Sequence, residues 1–260
     1  MLDGTASATA QGVAAQRLTF RRIPADHGRP DDDQRLQADV AAGFELADHP
    51  LARYLQARTL FFDQVVVDAI AAGTTQLVAV GAGYDGRSLR YAKPGVRWFE
   101  LDHPATQADK RARLDRLGVP LNGLTFAPAD FTTDDVESCL AATGHDPEQP
   151  TLFTSEGVSG YVPLDALREL LAALHRTAAP GSSFAIEVPL EPEGEAEVER
   201  RARIEGQVAA IGEPLVSAVA RAELRPFLAS AGWAVRSAVD PLGVDIDESP
   251  RSTAFVIATA

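Results

Sequence analysis

The run Leu77-Val78-Ala79-Val80 leads straight into Gly81-Ala82-Gly83-Tyr84-Asp85-Gly86-Arg87, and no other stretch restricts the fold as much. Four apolar residues bounded by glycines read as a buried strand, and Ser88-Leu89-Arg90-Tyr91 beyond them as the start of a helix. A strand that turns sharply into a helix belongs to parallel α/β sheets, where the amides of the turn face a ligand. Gly81, Gly83 and Gly86 spell G-x-G-x-x-G. Roughly twenty residues on, Val96-Arg97-Trp98-Phe99-Glu100-Leu101-Asp102 ends a second strand in an acid, the usual partner of ribose hydroxyls.

Taken literally, the glycine pattern suggests a nicotinamide or flavin dinucleotide. Asp85 argues against that, because a carboxylate inside the turn would repel a pyrophosphate. S-adenosylmethionine keeps the adenosine but replaces the pyrophosphate with a sulfonium and an ammonium, so it suits an acidic turn better. The alternative for Asp85 is an acid supporting the N-terminus of the following helix.

Charge narrows the partners. Lys and Arg number 24 against 37 Asp and Glu, a net charge of −13, which opposes binding to nucleic acid or to an anionic membrane and favours a small-molecule partner. Cys139 is the only cysteine, so there is no internal disulfide and no thiolate cluster for zinc. Beside Leu140 in an expected helix, it reads as packing. No apolar run approaches membrane-spanning length and residues 1–16 lack a leader pattern, so the expected location is cytoplasmic.

Strand and helix patterns alternate from the glycine turn onward, so the sheet is expected to be mostly parallel with helices on both faces. Residues 50–72 form the strongest helix, with Leu51, Leu55, Phe62, Val65 and Ala69 on one face. Arg58 falls on that same face and must pair, either with a structural carboxylate or with a ligand carboxylate. Earlier, Arg17, Arg21 and Arg22 make a basic island that either pairs with Asp31, Asp32 and Asp33 or recognises an anion, and 34–43 reads as a short helix.

Past Asp102, His103-Pro104 reads as a helix cap or surface turn. Leu124 to Phe131 reads as the third strand; its terminal Asp130 and Phe131 either hold an adenine by its amine and a ring nitrogen or begin the helix expected over 133–143. The fourth strand, 151–157, ends in Glu156 where a central strand opens onto a cleft. A helix over 164–178, a fifth strand over 183–188, a charged helix over 191–203 and a helix over 220–231 follow. Two last strands, 233–239 and 252–259, are joined too closely for a crossover helix and should pair antiparallel at the sheet edge.

Gly81-Ala82-Gly83-Tyr84-Asp85-Gly86-Arg87, Phe99-Glu100-Leu101-Asp102-His103-Pro104, Ala129-Asp130-Phe131 and Ser155-Glu156-Gly157, in this order, closely resemble the leucine carboxyl methyltransferase family, in its bacterial branch. The resemblance covers most of the chain from about residue 53. It implies a single α/β domain over 1–260 with the class I methyltransferase, Rossmann-like fold. That fold has a seven-stranded, mostly parallel sheet with an antiparallel C-terminal edge hairpin; here it would carry an N-terminal helical cap (1–49) and an insertion near the acceptor (191–219). It implies S-adenosylmethionine as cofactor and a small-molecule methyl acceptor, with S-adenosylhomocysteine as product. Arg58 would bind the cofactor carboxylate, and Gly81 and Gly83 would admit its methionyl part. Asp102 would take the ribose, Asp130 with Phe131 the adenine, and Glu156 the ammonium or sulfonium end.

The chain departs from the family at Gly86, where a threonine is usual, and at Phe131, where a leucine is common. The N-terminal lysine some members use is absent, and Arg17 is its candidate replacement. Tyr84, Arg87, His103 and Tyr161 are candidates to line the acceptor pocket. A carboxylate acceptor needs no general base whereas a hydroxyl does, and no base is evident in the sequence, which favours a carboxylate acceptor. Two rival readings use the same turn: a nicotinamide-dependent oxidoreductase, and a protein of this fold that binds the cofactor without methylating.

Overall fold

The computed structural model describes residues 6–42, 51–210 and 212–260. The end of the expected 34–43 helix, the start of the 50–72 helix and part of the expected cap lie outside them. Three helices come first: α1 (Ala8–Arg17), α2 (Pro30–Ala41) and α3 (Ala52–Ala71). Strands β1 (Gln76–Val80), β2 (Arg97–Asp102), β3 (Leu124–Pro128), β4 (Leu152–Ser155) and β5 (Ser183–Pro189) then alternate with α4 (Arg87–Arg90), α5 (Pro104–Arg116), α6 (Val136–Ala142) and α7 (Leu164–Arg176). The chain continues through α8 (Glu195–Ala210), α9 (Leu224–Ser230), β6 (Ala234–Val239) and β7 (Thr253–Thr259).

The strands form one seven-stranded sheet in the order β3-β2-β1-β4-β5-β7-β6. Pairing is parallel from β3 through β5 and antiparallel at β7 and β6, as the short final connection requires. Alternate residues of each strand feed opposite cores. Val78, Phe99, Phe153 and Phe184 pack on one face against Leu167, Leu170, Leu171 and Leu174 of α7, and Cys139 packs at this cluster's margin. Leu77, Trp98, Leu124 and Leu152 face Leu36, Val66, Ile70 and Leu114 of α2, α3 and α5.

Helix boundaries move from the sequence expectation where caps decide them. Helix α2 begins at Pro30, whose fixed φ suits a first helical position, and Asp31, Asp32 and Asp33 complement the dipole of its first turn. Helix α6 begins only at Val136 because the Asp135 carboxylate caps it. The 220–231 segment divides into a short 3-10 turn, Arg221–Glu223, and α9.

Candidate active site

The sheet reverses its strand order between β1 and β4, and ligands of open α/β sheets bind outside the strand ends at such a reversal. Register then determines which side chains meet there. Val80 pairs with Leu101 on one side and Ser155 on the other, so the Gly81–Gly83 turn lies between Asp102 and Glu156. Ser155 pairs with Ile186, which brings Glu187 level with Glu156. Asp102 pairs with Pro128, with Asp130 two residues further on. These groups line one cavity of about 850 Å³, closed by α1, by Tyr54 and Arg58 of α3 and by the end of α8.

Glu156 is the electrostatic centre. Its Oε1 accepts from Arg17 Nη2 (2.7 Å) and Arg58 Nε (3.0 Å), and its Oε2 from Arg87 Nη1 (2.6 Å). Burial alone would raise this carboxyl, but Arg17, Arg87 and Arg58 outweigh burial and hold it well below the usual carboxylate range. Arg58 reaches a second carboxylate, Glu187 Oε2, at 3.0 Å. The apolar-face arginine of α3 therefore pairs with two carboxylates of the chain that line the cavity with it.

The network runs on beneath the cavity. Arg87 also binds Asp63 (2.8 Å) and Asp85 (2.6 Å), and Arg22 bridges Asp63 (2.7 Å) and Asp33 (2.9 Å). The basic island thus divides: Arg22 pairs with Asp33 as expected, while Arg17 turns to the site. Asp85 takes its cation from Arg87 two residues on and accepts from the Arg87 amide at 2.9 Å. It supports the start of α4 and does not line the cavity, so the sequence argument that its charge selects a sulfonium over a pyrophosphate does not hold. Arg87 likewise lies in this network and outside the cavity wall.

Asp102 is half-buried. Its Oδ2 accepts from the Gly83 amide and its Oδ1 from the His103 amide at 2.6 Å, and burial raises it despite both bonds. Gly81 has a φ of 65°, and a Cβ there would come within 2.2 Å of Val158 Cγ2. Asp130 Oδ1 accepts from the Thr132 amide (2.9 Å) and hydroxyl (2.7 Å), bonds that hold the carboxyl below its ordinary value. It still lines the cavity next to Phe131.

Among the acceptor-pocket candidates, Tyr161 lines the cavity. His103 lines it too, but its Nδ1 caps α5 by accepting from the Ala105 amide at 3.2 Å. Tyr84 also contributes to the lining, but the residue is buried and its hydroxyl donates to Asp109.

Sequence reasoning missed Glu187, Tyr54 and Glu213. Glu187 Oε1 accepts from the Tyr54 hydroxyl and its Oε2 from the Gly157 amide at 2.9 Å. Burial pushes its carboxyl up to about 8, against the Gly157 amide, while Arg58 favours the anion. The available signal was one acid inside the apolar run Phe184-Ala185-Ile186-Glu187-Val188. Glu213 caps α1: its carboxylate accepts from the Ala8 amide (2.8 Å), the Thr9 amide (3.3 Å) and the Ser7 hydroxyl (3.0 Å). That contact ties the first described helix to the segment after α8.

This sheet order, with the antiparallel edge and the site at the β1–β4 reversal, is the class I methyltransferase fold. A DUF574 family protein from Streptomyces avermitilis aligns with 98% of this chain and 97% of its own at a TM-score of 0.64 and 13% identity. Human N-acetylserotonin methyltransferase, solved in complex with SAM, aligns with 99% of this chain and 63% of its own at a TM-score of 0.51 and 13% identity. At such identities the likeness shows the fold alone.

Sequence carries the assignment further. The model of the leucine carboxyl methyltransferase family matches residues 8–175, and the chain belongs to that family. A relative from Mycobacterium avium (strain 104), named "Putative S-adenosyl-L-methionine-dependent methyltransferase", is 35% identical over 208 residues. That match takes in 76% of this chain and 66% of the relative, so the chain spans just under two thirds of that relative's length.

Proposed function

We propose that this chain is an S-adenosylmethionine-dependent methyltransferase acting on an oxygen, carboxylate or hydroxyl, of a small-molecule acceptor. The observation that supports this most is the convergence of the Gly81–Gly83 turn, Asp102 and the arginine-flanked Glu156 on one cavity. The residues fit the cofactor's charges. Arg17 is buried with its Nε unpartnered, and with Arg58 it offers two guanidinium groups to a carboxylate, while Glu156 is held ionised for an ammonium. Each Asp102 oxygen accepts one amide and retains a lone pair for a ribose hydroxyl. Asp130 and Phe131 would flank the adenine.

When bound, the cofactor supplies a methyl group on a sulfonium. The chain's own contribution is alignment and exclusion of water: α1 covers the glycine turn, and a Cβ on Gly83 would lie 3.0 Å from that of Ala10. Alignment of a near-attack pair is worth up to roughly 7–11 kcal/mol.

Calorimetric titration with S-adenosylhomocysteine and, separately, NADH tests the reading. Micromolar binding of the first alone is expected. Binding of NADH alone would replace it with the oxidoreductase reading, and cofactor binding without turnover across a broad panel of acids and alcohols would leave a non-methylating member of the fold.

A further inference from the structure

Two carboxylates stand side by side at the cavity floor, and their surroundings differ. Glu156 is bound by three guanidinium groups. Among the described residues Glu187 has Arg58 alone as a cation; its other partners are the Tyr54 hydroxyl and the Gly157 amide. The group facing it from β7 is Phe255, which cannot titrate. Paired acids whose environments separate their proton affinities mark a division of labour, one staying charged and the other exchanging a proton. Glu156 is the fixed anion, and Glu187 is the acid free to change state.

The cavity above Glu187 is largely apolar, walled by Tyr161, Ile204, Val208, Leu215 and Val216. Its cations are already engaged: Arg17 and Arg58 by Glu156 and, in the reading above, by the cofactor's own carboxylate, Arg200 by Glu197 (2.7 Å) and Arg201 by Glu205. A carboxylate acceptor would arrive charged, facing Glu187 and Glu213 with no uncommitted cation among the described lining residues. A neutral hydroxyl on an apolar body meets no such opposition.

We propose that Glu187, positioned by Tyr54 and Arg58, is the general base that takes the proton from an acidic hydroxyl, of phenol or enol type, on an apolar acceptor lying between Tyr161 and Leu215. This rests on the methyltransferase reading above and selects hydroxyl over carboxylate within it. The acceptor oxygen forms its bond to the methyl carbon as the sulfonium–methyl bond breaks. The electron pair of that bond stays on sulfur, and the hydroxyl proton passes to the Glu187 carboxylate. Proton transfer is efficient where donor and acceptor affinities are close, and a carboxyl raised to about 8 lies near a phenol and far from an aliphatic alcohol.

The test follows methyl transfer from radiolabelled S-adenosylmethionine to phenol by the full chain, as a pH profile of kcat/KM kept below the phenol's own pKa. In wild type the rate is expected to rise through about pH 8 as the Glu187 carboxyl ionises. Glu187→Gln should lose that rise while its dissociation constant for S-adenosylhomocysteine stays within about threefold. Tyr54→Phe should move the rise to higher pH, because the Glu187 anion loses a donor.

Absence of methyl transfer to phenol, or superimposable pH profiles for wild type and Glu187→Gln, overturns the proposal and leaves the cofactor reading standing. A tenfold or greater loss of S-adenosylhomocysteine affinity in Glu187→Gln also overturns it, making Glu187 a support for Arg58. Failure of wild type to bind S-adenosylhomocysteine at all overturns the methyltransferase reading and this proposal with it.

Discussion

Arg58 holds Glu156 and Glu187 on one guanidinium, its Nε on the first and its Nη1 on the second, each at 3.0 Å. Both carboxylates are over nine-tenths buried, and among the described residues Glu187 has no other cation. Truncation should therefore be felt mainly at Glu187. Measured above about pH 8, where Glu187 is ionised, Arg58→Ala is expected to destabilise the fold by about 3–5 kcal/mol, the usual cost of leaving a buried charge unpaired. Adding Glu187→Gln should restore part of the loss, read as a double-mutant cycle on urea midpoints. Strict additivity would show that the two residues do not communicate.

Asp102→Ala should weaken S-adenosylhomocysteine binding by about 1.5–3 kcal/mol, tenfold or more, by calorimetry. An unchanged dissociation constant removes Asp102 from the ribose.

Gly86 is a glycine for a packing reason. A Cβ there would lie 1.8 Å from Asp33 Oδ1, and Asp33 is fully buried and shared by Arg22 and Arg90. Gly86→Ala is expected to displace that carboxylate and cost about 3–5 kcal/mol in chemical unfolding. Gly206→Ala, within α8 and with open space around the added methyl, should instead stabilise by about 1 kcal/mol. A neutral Gly86→Ala would show that Asp33 moves freely.

His145 is packed against Phe99 and Phe153 with its Nε2 3.2 Å from Thr151 Oγ1, and burial lowers its pKa from 6.5 to about 4. The unfolded chain binds this proton more readily than the native state. The stability His145 contributes is therefore complete above about pH 6.5 and is lost as pH falls through 4. Between pH 7 and 4, wild type should lose about 1–3 kcal/mol more than His145→Leu, after allowing for partial screening. Parallel pH profiles would exclude it.

Much of the fold was legible because burial imposes period. Leu77 to Val80, Phe99 and Leu101, and the leucines of α7 each announce an element whose faces must be covered on both sides of a sheet. Strand ends were legible too, and Asp102, Asp130 and Glu156, singled out by position, line the cavity. What stayed hidden was pairing across elements. Asp85 advertises a need for positive charge, but nothing in sequence order says that Arg87 meets it. Glu187 lies in a run that reads as ordinary core, and only the Ser155–Ile186 register sets it beside Glu156.

The cap that Glu213 places on α1 has a bearing on biosynthesis. The Ser7–Glu213 bond joins residues 206 positions apart, among the most distant contacts in the molecule. A nascent chain emerging from the ribosome completes β1 to β5, and with them the floor of the cavity, before Glu213 exists. The roof can be fastened only after all five of those strands have been made. Capacity to enclose a ligand is thus acquired after the floor, and closure of so long a loop is the kind of late, non-local step that slows folding.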